Sequence, residues 1–231
     1  NAQADQSNLS TISDRFVSNK VDLVLAIATP AAQSIAGKTT EIPIIGTAIT
    51  DFVAAKLVDS NEAPGGNVTG TTDMNPIKEQ IDLLKQLVPD VETVGVIYTS
   101  SEDNSVVQAK IAKEAIEAMG LQYTEVTVTN SNDVQQAAQS LVEKCDAMYL
   151  PTDNVLASAM PVIYGVTVES KTPVICGESG MVENGGLATL GINYYDLGYQ
   201  AGLMGVKILK GEANPAEMPI ESAAEFDFAI N

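Results

Sequence analysis

The chain has 231 residues, of which 45% are hydrophobic and 18% are charged, a composition that supports a folded core and excludes an intrinsically disordered protein. Its 30 acidic and 12 basic residues give a formal net charge of −18, which argues against nucleic acid or an anionic lipid surface as a partner. The sequence contains no histidine, so the commonest general base and metal ligand is missing, and we expect neither a metal site nor a cofactor.

Short apolar runs alternate with amphipathic segments along the whole chain. The predicted helices span 7–19, 30–37, 76–88, 104–119, 133–144, 153–170 and 195–210. The predicted strands span 22–28, 43–48, 93–98, 122–128, 146–150, 173–176, 187–190 and 226–230. This alternation predicts an α/β fold with mostly parallel sheets and helices on both faces. Cys145 and Cys176 fall at strand positions and are interpreted as buried structural thiols.

The two halves of the chain share a pattern. Residues 21–46 and 145–177 each contain an aspartate, a buried strand, a threonine after the strand, a helix, and a proline that opens a second strand ending in glycine. The spacing differs by one or two helical turns, so the similarity indicates two lobes of the same topology rather than a tandem repeat. The glycine-rich stretch 64–70 is interpreted as the crossover between the lobes.

Polar residues follow most of the predicted strands, at the edge of a parallel sheet where ligands bind. Hydroxyl groups and helix starts suit an anion, and acidic residues suit an ammonium group, so the set favours a small zwitterion or a polyol. The alternatives for individual residues are helix caps, solvated turn carboxylates and ordinary packing. The candidate ligand-binding residues are Thr29, Ala31, Thr50, Asp51, Phe52, Ser101, Asn104, Ser105, Thr152, Asp153, Asn154, Glu178, Asn193 and Tyr194.

Two of these candidates receive specific roles. The Thr29 hydroxyl and the amides of residues 31 and 32 are expected to hold a carboxylate at the start of the helix after the first strand, and the alternative is that Thr29 only caps that helix. Asp153 is expected to hold an ammonium group, with little loss of stability when it is removed. No catalytic residue is expected, because the sequence has no G-x-S-x-G elbow and no Walker loop. Paired carboxylates leave a two-lobed racemase-type enzyme as an alternative.

Many segments, among them VDLVLAIATPAAQ, TAITD, PGGNVTG, TVGVIYTSSEDNS, YLPTDN and ATLGINYYDLGYQAG, resemble the substrate-binding proteins of ABC importers. The resemblance covers residues 1–231, and it is strongest to the tryptophan- or tyrosine-binding branch with the type I periplasmic-binding fold. It implies two Rossmann-like lobes joined by three crossovers that close on a ligand in the cleft. The lobes would comprise 1–72 with 192–217 and 73–191 with 218–231.

The resemblance also implies a function. The protein would capture a small amino acid, preferably an aromatic one, and deliver it to ABC permease subunits as a monomer located in the periplasm or anchored to the cell surface as a lipoprotein. Family members begin with a lipoprotein signal followed by a first strand and helix, and we expect this sequence to begin after them, so that lobe one lacks its first β-α unit. The ligand-sensing domain of a transcriptional regulator shares the fold and is the second hypothesis.

Overall fold

The chain folds into two compact units. The computed structural model describes residue 2 and residues 5–223 and 225–231. Unit one comprises the chain up to Met74 and Asn193–Glu225, and unit two comprises Asn75–Ile192 and Phe226–Asn231. The chain passes from one unit to the other at 74–75, at 192–193 and at 225–226.

Helices and strands alternate along the chain. The helices are α1 (Gln6–Ser18), α2 (Thr29–Ala36), α3 (Ile77–Leu87), α4 (Asp103–Ala118), α5 (Val134–Val142), α6 (Asn154–Ser158), α7 (Met160–Ser170), α8 (Ser179–Glu183) and α9 (Tyr194–Leu209). The strands are β1 (Val24–Ile27), β2 (Ile44–Ile49), β3 (Val68–Thr72), β4 (Thr93–Thr99), β5 (Gln122–Val128), β6 (Ala147–Leu150), β7 (Val174–Cys176), β8 (Ala188–Gly191), β9 (Glu221–Ser222) and β10 (Asp227–Ile230). In the described part of the chain, no helix is long and apolar enough to cross a membrane.

Unit one contains a parallel sheet in the order β1-β2-β3-β9. One face packs against α1 and α2 through a cluster that includes Ile44 and Ile49, and the other packs against α9 through Ile45 and Met204. Strand β2 is buried along almost its whole length, as expected for a strand covered on both faces, whereas Leu25 and Ile27 of β1 are exposed. The carboxyl ends of β1, β2 and β3 therefore meet at one edge of this sheet.

Unit two contains a sheet in the order β10-β8-β7-β6-β4-β5, in which only the pairing of β10 with β8 is antiparallel among the described strands. Helix α5 packs with α7 on one side of this sheet, and its side chains Val134, Ala138 and Leu141 are fully buried in the main hydrophobic cluster. Helices α3 and α4 pack with each other. Glycines follow α4 and α9 at Gly120 and Gly211 with φ angles of 74° and 71°, as the predicted helix ends require.

The glycine-rich stretch interpreted as a crossover instead leads into strand β3, which the sequence did not predict. Gly70 lies opposite Gly46 in the neighbouring strand, and a Cβ atom at Gly70 would lie 1.8 Å from the Gly46 carbonyl oxygen. Gly70 therefore allows two neighbouring strands to approach closely. From sequence alone, a glycine in this role looks the same as a glycine in a turn.

Two further expectations differ from the structure. The predicted helix 153–170 is divided into α6 and α7, because Pro161 near the start of α7 has no N–H to continue the preceding turn. The tail was expected to join lobe two from residue 218, but β9 pairs with β3, so residues 218–225 belong to unit one.

Candidate ligand-binding site

A buried carboxylate joins the ends of β2 and β3 in unit one. Asp73 follows β3 and is 2% exposed. The Thr50 hydroxyl donates to its Oδ1 at 3.1 Å, and the Tyr194 hydroxyl, at the start of α9, donates to its Oδ2 at 2.8 Å. Burial raises the pKa of Asp73, and the two hydroxyl donors oppose this shift. Two predicted residues, Thr50 and Tyr194, therefore meet at an aspartate that the sequence-based site did not include.

The helix start at Thr29 does not provide the expected anion site. Thr29 is the first residue of α2, and no side chain within the described residues caps this helix. The amides of Ala31 and Ala32 both donate to the Ala28 carbonyl oxygen at 3.1 Å, so they are already paired within the helix. The cap hypothesis is equally wrong, because Ala28 holds the N-cap position with a φ angle of 78°. Both predictions failed because α2 begins one residue earlier than expected.

The other predicted residues of unit one have structural roles. Asp51 accepts hydrogen bonds from the amides of Val53 and Ala54 at 3.0 and 2.9 Å, within its own turn. Phe52 is fully buried in the hydrophobic cluster beneath β2, so its ring is not presented to a ligand in this structure. Asn193 is exposed, and its side chain caps α9 by accepting hydrogen bonds from the amides of Tyr195 and Asp196.

Asp153 holds two strand ends of unit two together. It is 2% exposed and follows β6 as the N-cap of α6. One oxygen accepts from the Thr99 amide at 2.7 Å, and the other accepts from the Thr99 hydroxyl and the Leu156 amide at 2.9 Å each. These internal donors give Asp153 a structural role, in contrast to the ammonium site expected from its position after a strand.

A second carboxylate, Glu102, lies beside Asp153 and is 6% exposed. Its Oε2 accepts from the Asn154 side-chain amide at 2.7 Å and from the Asn104 side-chain amide at 3.1 Å. Burial raises the pKa of the Glu102 carboxyl, and the negative charge of Asp153 raises it further. Unit two therefore keeps two acidic side chains together in a buried position, and none of their hydrogen-bond partners among the described residues is basic.

Asn104 has one buried acceptor without a donor. Its Nδ2 donates to the Glu102 carboxylate at 3.1 Å and to the Thr152 carbonyl oxygen at 3.1 Å. Its Oδ1 is buried and has no hydrogen-bond partner among the described residues. Because a carbonyl oxygen can only accept, the contact with Thr152 fixes the NH₂ group on that side and leaves Oδ1 pointing away from it. An unpaired buried acceptor costs about 1–3 kcal/mol, so this atom is a position where a ligand donor would be stabilising.

Thr152 is fixed by the side chains around it. Gln108 accepts from the Thr152 amide at 3.0 Å and donates to the Thr152 carbonyl oxygen at 3.0 Å. Asn75, at the start of unit two, donates to the Thr152 hydroxyl oxygen at 3.2 Å. A Cβ atom at Gly177 would lie 2.4 Å from the Thr152 nitrogen, so only glycine allows β7 to end this close to the loop.

Three predicted residues of unit two lie at the margin of this network or outside it. Ser105 is fully buried and its hydroxyl oxygen accepts from Asn104 at 3.2 Å. Ser101 is exposed in the turn before α4 and has no recorded hydrogen bond to the network among the described residues. Glu178 caps α8 through the amides of Gly180 and Met181 at 2.6 and 2.8 Å.

These hydrogen-bonded residues of unit two are called the strand-end network. Its members are Asn75, Glu102, Asn104, Gln108, Thr152, Asp153 and Asn154. The sequence-based site included four of its members and missed Asn75, Glu102 and Gln108. Glu102 lies in the same TSSEDNS stretch as Asn104, and Gln108 follows Asn104 by one helical turn, so both spacings were readable in the sequence. Asn75 precedes a helix and gave no signal. No cluster of three or more potential metal ligands occurs within the described residues.

The strand-end network lies at the carboxyl ends of parallel strands, where α/β proteins bind small ligands, and it leaves one buried acceptor without a donor among the described residues. A protein-family model described as an ABC transporter substrate binding protein matches residues 1–231. The chain belongs to this family. The α/β fold with parallel sheets that the sequence predicted is confirmed for this substrate-binding protein.

Similar proteins include characterised and solved examples. The substrate-binding protein is 42% identical, over its full length and 67% of the relative, to a tyrosine-binding protein of Clostridioides difficile strain R20291. It is 42% identical to the ABC domain from Streptococcus pneumonia in complex with L-Trp, with a TM-score of 0.95 over 98% of this chain and 77% of that chain. It is 45% identical to a ligand-free, open substrate-binding protein with adhesive properties from Clostridium difficile, with a TM-score of 0.72 over 100% and 78% of the two chains.

Proposed function

We propose that this substrate-binding protein captures an aromatic amino acid outside the cytoplasm and delivers it to the permease subunits of an ABC importer. It acts as a monomer without catalysis, in the periplasm or as a lipoprotein at the cell surface. The family match supports the transport role. An aromatic ligand is supported by two relatives at 42% identity, one named as tyrosine-binding and one solved with L-Trp.

The unpaired Asn104 acceptor is the observation that carries the proposal. An amino acid presents an α-ammonium group with three donors and no acceptor, which matches an acceptor that has no donor in the protein. The Oδ1 atom is buried, and the residue is 6% exposed, so a ligand donor there forms its hydrogen bond away from bulk water.

Glu102 supplies the charge that an ammonium group requires. Its carboxylate shares the Asn104 amide, so acceptor and negative charge belong to one hydrogen-bonded group. Burial makes ionised Glu102 unfavourable in the absence of a cation, as its raised pKa reflects. A bound ammonium would relieve this cost, and the site would therefore favour a cationic amine over a neutral one.

The first test is isothermal titration calorimetry of the protein with L-tryptophan, L-tyrosine, L-phenylalanine and L-leucine. We expect saturable binding of at least one aromatic amino acid, weaker binding of L-leucine, and a loss of binding with N-acetyl-L-tryptophan, whose nitrogen carries no charge. Absence of binding by all three aromatic amino acids would refute the proposed ligand class.

A variant locates the ammonium group. Asn104→Ala removes the unpaired acceptor, and loss of a hydrogen bond to a charged group of about 1.5–3 kcal/mol weakens affinity by about 10- to 150-fold. Asn130→Ala is the matched control, because Asn130 is an exposed asparagine of the same unit that accepts from the Asn132 amide. The control is expected to lower stability by about 1 kcal/mol and to leave affinity unchanged. Equal affinities for wild type and Asn104→Ala would exclude this acceptor as the ammonium site.

A further inference from the structure

We propose that the Thr152 hydroxyl donates a hydrogen bond to the carboxylate of the amino-acid ligand, and that Asn75 is the positioning residue that directs this hydroxyl to donate. The inference rests on the ligand class proposed above and adds the residues that recognise its carboxylate. A chain of hydrogen bonds runs from the Ile192 amide through Asn75 to Thr152, and the direction of donation along it decides what the Thr152 hydroxyl can do.

The orientation of the Asn75 side chain is fixed by a backbone donor. Asn75 is 3% exposed, and its Oδ1 accepts from the Ile192 amide at 3.2 Å. A backbone N–H can only donate, so the carbonyl oxygen of the side chain must face Ile192. The NH₂ group consequently faces Thr152, where its nitrogen lies 3.2 Å from the hydroxyl oxygen.

This orientation determines what the Thr152 hydroxyl can do. An NH₂ group has no acceptor, so Thr152 must accept from Asn75 through a lone pair, and the hydroxyl hydrogen is directed elsewhere. In the part of the chain that the structure describes, no acceptor is recorded for that hydrogen. Thr152 is half-buried, and in the proposed complex this hydrogen is donated to a ligand oxygen.

The donor and the unpaired acceptor belong to one fixed group. The Thr152 backbone is held by Gln108 at its amide and carbonyl oxygen, and Asn104 donates to the same carbonyl oxygen. A hydroxyl donor and an amide acceptor joined in this way match the two charged groups of an amino acid, with the carboxylate on Thr152 and the ammonium on Asn104. Because the loop is already ordered, binding requires little further loss of side-chain freedom.

The experiment compares L-tryptophan with tryptamine, which lacks the carboxylate, by calorimetry on five variants, of which one is a double variant. Thr152→Val removes the hydroxyl at nearly constant shape and is expected to lower the affinity for L-tryptophan about 10-fold or more, with less than a threefold change for tryptamine. Thr152→Ser keeps the hydroxyl and is expected to restore most of the affinity. Thr167→Val is the control, because it makes the same change at another threonine of unit two, a buried one whose hydroxyl donates within α7; we expect no change in affinity.

Asn75→Asp tests the positioning role. In this variant the second carboxylate oxygen of the aspartate is expected to accept a hydrogen bond from Thr152, which turns the hydroxyl hydrogen towards residue 75 and away from the ligand. The affinity for L-tryptophan is therefore expected to fall about as far as in Thr152→Val. In the double variant with Thr152→Val, the aspartate is expected to cause no further loss, because the hydroxyl through which residue 75 acts is gone. A full additional loss would mean that the new charge acts directly on the ligand, and it would overturn the role of Asn75.

The outcomes separate this inference from the proposed function. If wild type binds L-tryptophan and Thr152→Val binds it equally well, the carboxylate contact is wrong and the proposed function stands. If wild type binds none of the aromatic amino acids, the proposed function is refuted together with the inference. Thermal melts without ligand show whether each variant folds. If Asn75→Asp does not fold, the comparison of Thr152→Val with Thr152→Ser still tests the contact between the hydroxyl and the ligand carboxylate.

Discussion

The substitution Asp153→Ala is expected to destabilise unit two strongly. Asp153 accepts one hydrogen bond from the Leu156 amide and two from Thr99. Loss of an N-cap costs about 1 kcal/mol, and leaving the Thr99 amide and hydroxyl without their charged acceptor costs about 2 kcal/mol more. The sum of about 3 kcal/mol corresponds to a fall of about 6–12 °C in the melting temperature of a chain of this length.

Circular dichroism melts of wild type, Asp153→Ala and Asp51→Ala provide the assay. Asp51 is the matched control, because it also accepts from two backbone amides but is half-buried and forms these bonds within its own turn. We expect Asp51→Ala to cost about 1 kcal/mol, or about 2–4 °C. A melting temperature of Asp153→Ala within about 2 °C of wild type would refute the claim that Asp153 ties β4 to β6.

Two other predictions follow from buried ionisable groups. Burial raises the pKa of Glu102 above its ordinary 4.5, so the folded protein loses stability as pH rises through this pKa and the side chain ionises. In scanning calorimetry without ligand, Glu102→Gln is therefore expected to melt at a higher temperature than wild type at pH 7, and the difference is expected to shrink towards pH 4. A difference that does not change with pH would contradict this. Burial raises the pKa of the Cys145 thiol to about 11 and that of Cys176 still further, so both thiols stay protonated and unreactive at pH 7. After treatment with iodoacetamide at pH 7, mass spectrometry should show neither thiol alkylated in the folded protein and both alkylated in urea. Rapid alkylation of the folded protein would contradict this.

The sequence predicted the alternation of helices and strands well, because apolar runs such as β2 and β6 are buried on both faces. It failed at β3, where glycine allows two strands to approach closely, and at Pro161, where one helix becomes two. The failure at β3 reflects a tertiary contact, which local patterns do not contain, whereas the break before Pro161 has a local cause that the sequence already showed.

The candidate site was predicted by position and not by role. The rule that ligands bind after parallel strands led to Asn104 and Thr152, which belong to the strand-end network. The same rule selected Asp153 and Phe52, one a structural tie between strands and the other a core residue. A sequence does not show whether a polar side chain after a strand already has its partners inside the protein, and only the structure separates Asn104 Oδ1 from the paired groups around it.

The proposed ammonium site at Asn104 is best tested by a crystal structure of the protein grown with the aromatic amino acid that binds most tightly. We expect the ligand α-nitrogen within about 3.2 Å of Asn104 Oδ1, a hydrogen-bond distance, with Glu102 as the nearest negatively charged side chain. A ligand bound away from the strand-end network, or one whose α-nitrogen contacts other acceptors while Asn104 Oδ1 stays unpaired, would contradict it.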